Sequence, residues 1–330
     1  MRAASLVVLL SPLCAQEPVP ASASPAPVVP AEAVATRKLP DALLLGACFP
    51  APKVGIVVGG RRETDPAVVM RTEDDGATWI AARVPSQTAR LYDVQFPTPQ
   101  LGFACGLHGV LLRTTDAGSV WEAVPTPFGK AWFAAVQFLD AERGFLAGSY
   151  QGPLLACTRD GGKNWELSTL PVLSAELDLR DVHFVDASLG FACGNNGLLV
   201  RTEDGGKTWS KIPTGSTAWL RHLCFVDRQN GFVISGDGCL LATTDGGKSW
   251  QSRGRFGGKG NGVAFADTRR GLVATMEGAL LRTENGGESF VLEQQGTAAL
   301  TTIVPIGDAG WWVFGERGQA IRVPTSNSDR

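Results

Sequence analysis

The 330-residue sequence holds only two tyrosines and three histidines, and charge of neither sign prevails: the formal net charge is −2. His108, His183 and His222 stand far apart, without ligand spacing and without a cysteine pair beside them, so no metal motif is legible. No glycine-rich segment opens a helix, which removes the usual phosphate cradle, and no helix is expected at all. Balanced charge gives no electrostatic reason to expect nucleic acid as a partner. Beyond the first residues no apolar run is long enough to cross a bilayer as a helix.

What the chain does have is glycine, 40 residues of it, set among many short apolar runs that end in Gly or Asp. That punctuation points to an all-β protein. Met1-Arg2, the apolar Ala3 to Leu10 and the small-residue site around Leu13-Cys14-Ala15 read as a signal peptide over residues 1–15, and hence as export to the periplasm or beyond. Residues 16–35, nearly all Pro, Ala, Val and Ser, bury too little apolar surface to offset their ordering entropy and are expected to be a linker. Residues 324–330 are expected to be a disordered tail. Six cysteines follow the leader: Cys48, Cys105, Cys157, Cys193, Cys224 and Cys239. An exported chain with an even count invites disulfides, but Cys105 and Cys193 repeat one position in units too far apart to bridge. They are read as small buried hydrophobes.

One phrase returns six times. It is Thr72-Glu-Asp74-Asp-Gly76-Ala-Thr78-Trp79, then Thr114 to Trp121, Thr158 to Trp165, Thr202 to Trp209, Thr243 to Trp250 and a worn copy from Thr283 to Phe290. The closing aromatics fall 40 to 44 residues apart, a spacing that marks a recurring supersecondary unit. The unit is clearest at 179–212: an alternating strand Leu179 to Phe184, a turn, a strand Phe191 to Gly194, the hairpin signal Asn195-Asn-Gly197, a strand Leu198 to Arg201, the phrase, and a strand from Trp209. Four antiparallel strands of this kind make one propeller blade. Further blades are expected at 41–81, 90–124, 131–168, 219–252 and 260–293. The last unit, Leu300 to Val323, supplies only three strands, and the segment Ala35 to Leu39 is free to provide the fourth. The expected fold is therefore a seven-bladed β-propeller over 36–323, its ring closed by the N-terminal strand so that no sheet edge stays open.

The phrase is the Asp-box of sialidase-type propellers and their relatives. Its Asp and Thr serve the backbone of their own turn. Its Trp contributes a gross ~4–6 kcal/mol of burial. Asp74, Asp116, Asp160, Asp204 and Asp245, with Trp79, Trp121, Trp165, Trp209 and Trp250, are accordingly assigned to structure. The flanking grammar is Phe184-Val-Asp186, Gly190-Phe-Ala-Cys-Gly194-Asn-Asn-Gly197 and Leu198 to Trp209. It resembles the photosystem II assembly and stability factor family, which includes bacterial members from organisms without photosynthesis, and the likeness runs over about 36–323. The resemblance implies a non-enzymatic platform without cofactor or metal, lumenal in a photosynthetic source, that holds a membrane-protein assembly intermediate on an arginine-bearing face.

Candidates for that face are Arg180 and Arg221, which share one position at the start of a blade's first strand, and Arg61, Arg62, Arg90 and Arg255 in loops at the same end. At the shared position other blades carry Tyr92, Ala134, Asn261 and Thr301. Trp132 and Trp219, beside those loops, are read as inter-blade packing or as anchors for a partner. His183 and His222 are read as residues packed between sheets. The rival readings are a polysaccharide-binding propeller and a glycoside hydrolase. A sialidase needs a tyrosine nucleophile with a supporting glutamate; Tyr92 lies at the right end, but no glutamate is legible beside it. Asp237, Glu277 and Glu316 occupy tight turns where acids are ordinary. The chain is expected to act as a monomer and to bind protein rather than nucleic acid.

Overall fold

A blade is built from strands whose side chains are buried on both faces. The second strands Gly102–Gly106, Gly190–Gly194 and Gly271–Thr275 are buried at every position, as strands sandwiched between neighbouring sheets must be. The computed structural model describes residues 36–171, 174–307 and 310–325. In it these strands form seven antiparallel sheets of four. The expected leader (1–15), linker (16–35) and most of the expected tail lie outside the described residues.

The innermost strands of blades 1 to 7 are Leu43–Ala51, Leu91–Gln95, Trp132–Phe138, Leu179–Phe184, Leu220–Phe225, Gly260–Phe265 and Leu300–Pro305. Each packs on the next, and the seventh packs on the first, so the ring is closed. The seventh sheet takes its outer strand from the other end of the chain. Thr36–Lys38 pairs antiparallel with Gln319–Val323, Thr36 opposite Ile321 and Lys38 opposite Gln319. Leu39 N–H then donates to Gly318 O at 3.0 Å and Gly318 N–H to Ala42 O at 2.9 Å. Pro324 and Thr325, assigned above to the tail, are held in place: the nearly buried Arg282 donates to both carbonyls while pairing with Glu293 at 2.8 Å.

Every innermost strand breaks register between its first and third core positions, at Leu44/Gly46, Leu91/Asp93, Phe133/Ala135, Leu179/Asp181, Leu220/His222, Gly260/Gly262 and Leu300/Thr302. Such an irregularity turns consecutive side chains to one side, and it shapes the centre of the ring. The structure has two single-turn 3-10 segments that the sequence reading did not expect, Leu107–Gly109 and Glu316–Gly318. Both are hairpin turns between second and third strands, and the first contains His108 in the left-handed region. The six described cysteines are all free.

The Asp-boxes work as local turn locks. In the first, Thr72 Oγ1 donates to Asp74 Oδ1 at 2.8 Å and accepts from Gly76 N–H at 2.9 Å, while Thr78 N–H and Oγ1 donate to the Asp74 carboxylate, each at 2.7 Å. The same threonine-hydroxyl bond recurs at Asp116, Asp160, Asp204, Asp245 and Asn285. The residue four positions on is the chief donor that holds Asp74, Asp160, Asp204 and Asp245 down to about 2. Box tryptophans meet the aromatic at or just past the end of their own innermost strand edge to face, as in Phe96–Trp121 at 5.8 Å and Phe184–Trp209 at 5.7 Å. Box glycines lean on the previous blade: at Gly247, with φ +75, a Cβ would run into the Phe191 ring.

Candidate functional site

Strand register separates two ends of the molecule. Leu179 pairs with Gly194 beside one hairpin, whereas Phe184 pairs with Gly190 and Gly190 with Thr202 of the box. The boxes therefore lie at the opposite end from the starts of the innermost strands. At those starts the ring encloses a cavity of about 190 Å3. Its mouth is lined by one residue from each blade, Leu45, Tyr92, Ala134, Arg180, Arg221, Asn261 and Thr301; beneath them stand Asp93, Ala135, Asp181, His222 and Thr302. The register breaks explain why two consecutive residues of one strand, such as Arg180 and Asp181, both reach the same cavity.

Arg180 is held on every side. Its guanidinium lies over the Trp132 ring at 4.4 Å and over the Trp219 ring at 4.8 Å, and it pairs with both oxygens of Asp178 at 3.2 and 3.0 Å. Trp132 in turn meets Tyr92 edge to face at 5.5 Å, and Arg90 caps the series, lying over Tyr92 and donating to its hydroxyl at 3.0 Å. On the other flank Arg221 lies over Trp219 at 5.3 Å and donates to Asn261 at 3.4 Å, a long contact. Its Nε finds no acceptor in the chain. Burial, and then the Arg180 charge, lower the Arg221 pKa. Arg221 is the open cation of the mouth. Arg180 is the fixed one.

Trp132 and Trp219 thus stand at the mouth, Trp219 with 45% of its surface exposed. Of the other candidate arginines, Arg90 joins the series through Tyr92 and Glu63. Arg61 and Arg62 line a separate depression between blades 1 and 7 with Asp41, Glu316 and Arg317, and Arg255 is bound to Asp237 at 3.1 Å on blade 5. Six arginines read as one group fall into three places.

The acidic floor was not legible in the sequence. Asp93 accepts from Val94 and Val136 N–H at 2.8 and 2.9 Å, and Asp181 accepts from Leu223 N–H at 2.7 Å, so each carboxylate reaches across to the next blade. Burial pushes Asp93 up to about 6, and the Asp181 carboxylate adds to the rise; burial also raises Asp181. His222, expected between sheets, lines the cavity instead with 39% of its side chain exposed, 4.0 Å from Asp181, because the register break turns it inward. His183 keeps the expected place: it stacks on Phe225 at 5.6 Å, and burial lowers it to about 4.

The residues that the hydrolase reading named are each engaged elsewhere. Tyr92 has Glu63 nearby, but Arg90 stands between them and donates to both. Glu277 accepts from Lys259 N–H at 2.8 Å and Glu316 from Ala299 N–H at 3.4 Å. Asp237 is taken up by Arg255. Each acid closes a turn, and none lines the cavity. Among the described residues no cluster of three or more potential metal ligands occurs, and no helix is long and apolar enough to cross a membrane.

The family model described as "Photosynthesis system II assembly factor YCF48" matches residues 114–218. Over that stretch the repeat is similar to that of photosystem II assembly factors. Solved structures with the assembly-factor fold cover nearly the whole propeller. "YCF48 bound to D1 peptide" superposes with a TM-score of 0.73 at 19% identity, covering 91% of this chain and 99% of that one. YCF48 from Cyanidioschyzon merolae gives 0.70 at 19% identity, covering 89% and 100%. An ancestral GH74 enzyme shares the fold as well, with a TM-score of 0.68 and 15% identity over 91% of this chain and 47% of that one. At such identities the likeness speaks for the fold. No curated protein matches the sequence.

Proposed function

We propose that the chain is an exported, non-enzymatic platform that holds a protein partner, a membrane or envelope protein, by an extended segment laid across the channel mouth. One observation carries this reading: Arg180 is clamped between Trp132 and Trp219 while Arg221 beside it is held only by a long contact to Asn261 and by the Trp219 ring. A rigid cation–aromatic stack next to an open guanidinium suits an acidic polypeptide, with electrostatic steering first and burial of Trp219 afterwards. Each stacked pair contributes about 0.5–2 kcal/mol to holding the mouth in shape. A structural neighbour solved with D1 peptide supports a polypeptide as the occupant. The acids of the hairpin turns are engaged and give no support to a hydrolase reading.

The test is crosslinking capture from the native envelope with wild type and with Arg221→Glu, folding being checked by thermal melting. The platform reading expects a membrane or envelope protein on wild type that is lost from the variant. Equal recovery by both proteins would remove the mouth from the function. Turnover of a polysaccharide by wild type would overturn the non-enzymatic reading.

A further inference from the structure

Beside the channel lies a second and larger depression, of about 790 Å3. Tyr92, Trp132 and Arg180 line both cavities, so the Tyr92–Trp132–Arg180 stack is the wall that divides them. On the far side of that wall the floor is apolar and aromatic, made by Leu107 and Tyr150, with Tyr150 braced on Phe128 at 5.8 Å. The rim carries Glu63, Asp178 and Lys130. Glu63 is paired with Arg90 and Asp178 with Arg180. Lys130 is exposed and has no ion pair among the described residues. The Trp132 indole N–H finds no acceptor in the chain.

We propose that this depression is a second subsite of the binding face, taking an apolar or aromatic side chain of the partner's extended segment whose acidic neighbour reaches over the wall to Arg221. The proposal rests on the platform reading and specifies its partner. Charge decides the occupant. Both acids of the rim are neutralised, and the two cations left open, Lys130 and Arg221, flank the wall on opposite sides. A segment carrying acid beside an apolar residue complements that layout; a basic segment meets only spent carboxylates. Aromatic floors of this kind take up a ring through edge-to-face contact.

Gly129 gives the test. It lines the depression, its φ is not in the left-handed region, and a Cβ built on it meets nothing within 4 Å. Gly129→Phe therefore fills the space without straining the fold, and Ser149→Trp fills it from the hairpin side. The probes are fluorescently labelled Gly/Ser peptides carrying an Asp pair, a Phe, or both at a series of spacings, titrated against the full chain. At one spacing the combined peptide is expected to bind about tenfold tighter than the Asp peptide. Both filling variants should abolish that gain and leave the Asp peptide's affinity unchanged, whereas Arg221→Gln should weaken every Asp-bearing peptide. If Phe adds nothing at any spacing, or its gain survives both filling variants, the subsite is overturned while an Arg221 effect keeps the platform reading. If Arg221→Gln binds every peptide as wild type does, the platform reading fails at this mouth and the subsite falls with it.

Discussion

At the scale of single residues, the box glycines and the buried titratable groups set the sharpest expectations. Gly247 combines φ +75 with a Cβ direction closed by the Phe191 ring. Gly247→Ala is therefore expected to destabilise the chain by about 2–4 kcal/mol, backbone strain and overpacking together. Gly129→Ala, pointing into open space, should stay within about 0.5 kcal/mol of wild type; denaturant midpoints compare the two. Asp93 and His183 pull in opposite directions with pH. Asp93, raised to about 6, costs stability when ionised, so its term improves as pH falls from 6 towards the ordinary carboxylate range. His183, lowered to about 4, is held neutral, so its term worsens as pH falls from the ordinary histidine range towards 4. Asp181, raised likewise by burial, adds to the Asp93 side, so the His183 term opposes two carboxylates. His183→Gln uncovers the Asp93 term, and Gln already serves at the equivalent Gln95 and Gln137. As pH falls from about 7 to about 5 the variant's denaturation midpoint should rise more than that of wild type. Below that window the boxes take over: their carboxylates, held to about 2, stabilise above the ordinary aspartate pKa and cease to as pH falls through 2.

At the scale of elements, side chains stitch one innermost strand to the next. Gln95 accepts from Phe138 N–H at 3.0 Å, Gln137 accepts from Phe184 N–H and donates to Phe184 O, and Cys224 takes Phe265 N–H. Backbone groups that face the ring rather than a neighbouring strand are satisfied in this way. The strand Thr36–Lys38 is the element on which closure turns. A chain beginning at Leu39 would leave Gln319–Val323 as a bare sheet edge, a template for self-association. Its expected signature is a lower melting temperature and oligomers in size-exclusion chromatography. Arg282→Ala should act on the neighbouring sixth blade: it strands the carboxylate of Glu293, only 14% exposed, at a cost of about 3–5 kcal/mol, read by thermal melting.

For the molecule as a whole, overall charge and local charge diverge. The chain is slightly acidic, at −2, yet Arg180, Arg221 and Arg90 are gathered at one mouth above Asp93 and Asp181. Partner binding steered by so local a field should weaken markedly with added salt, and Arg221→Gln should flatten that dependence, as titration at two ionic strengths would show. The repeat, the blade boundaries, the box locks and the closure by an N-terminal strand were all legible in the sequence. Each rests on contacts within some forty residues or on copying the same unit, and the three-stranded last unit announced its missing partner. The floor of the channel was not legible. Strict alternation along Leu179–Phe184 would turn Arg180 and Asp181 to opposite faces, and a register break repeated in every blade turns both inward. Nor does the sequence bring Trp132, Arg180 and Trp219 together, since they start three successive blades. The sequence by itself determined the unit and its number, because turn chemistry and strand periodicity are local. Only the tertiary structure decided which side chains meet at the centre and which arginine stays open, because those contacts exist once the ring has closed and not before.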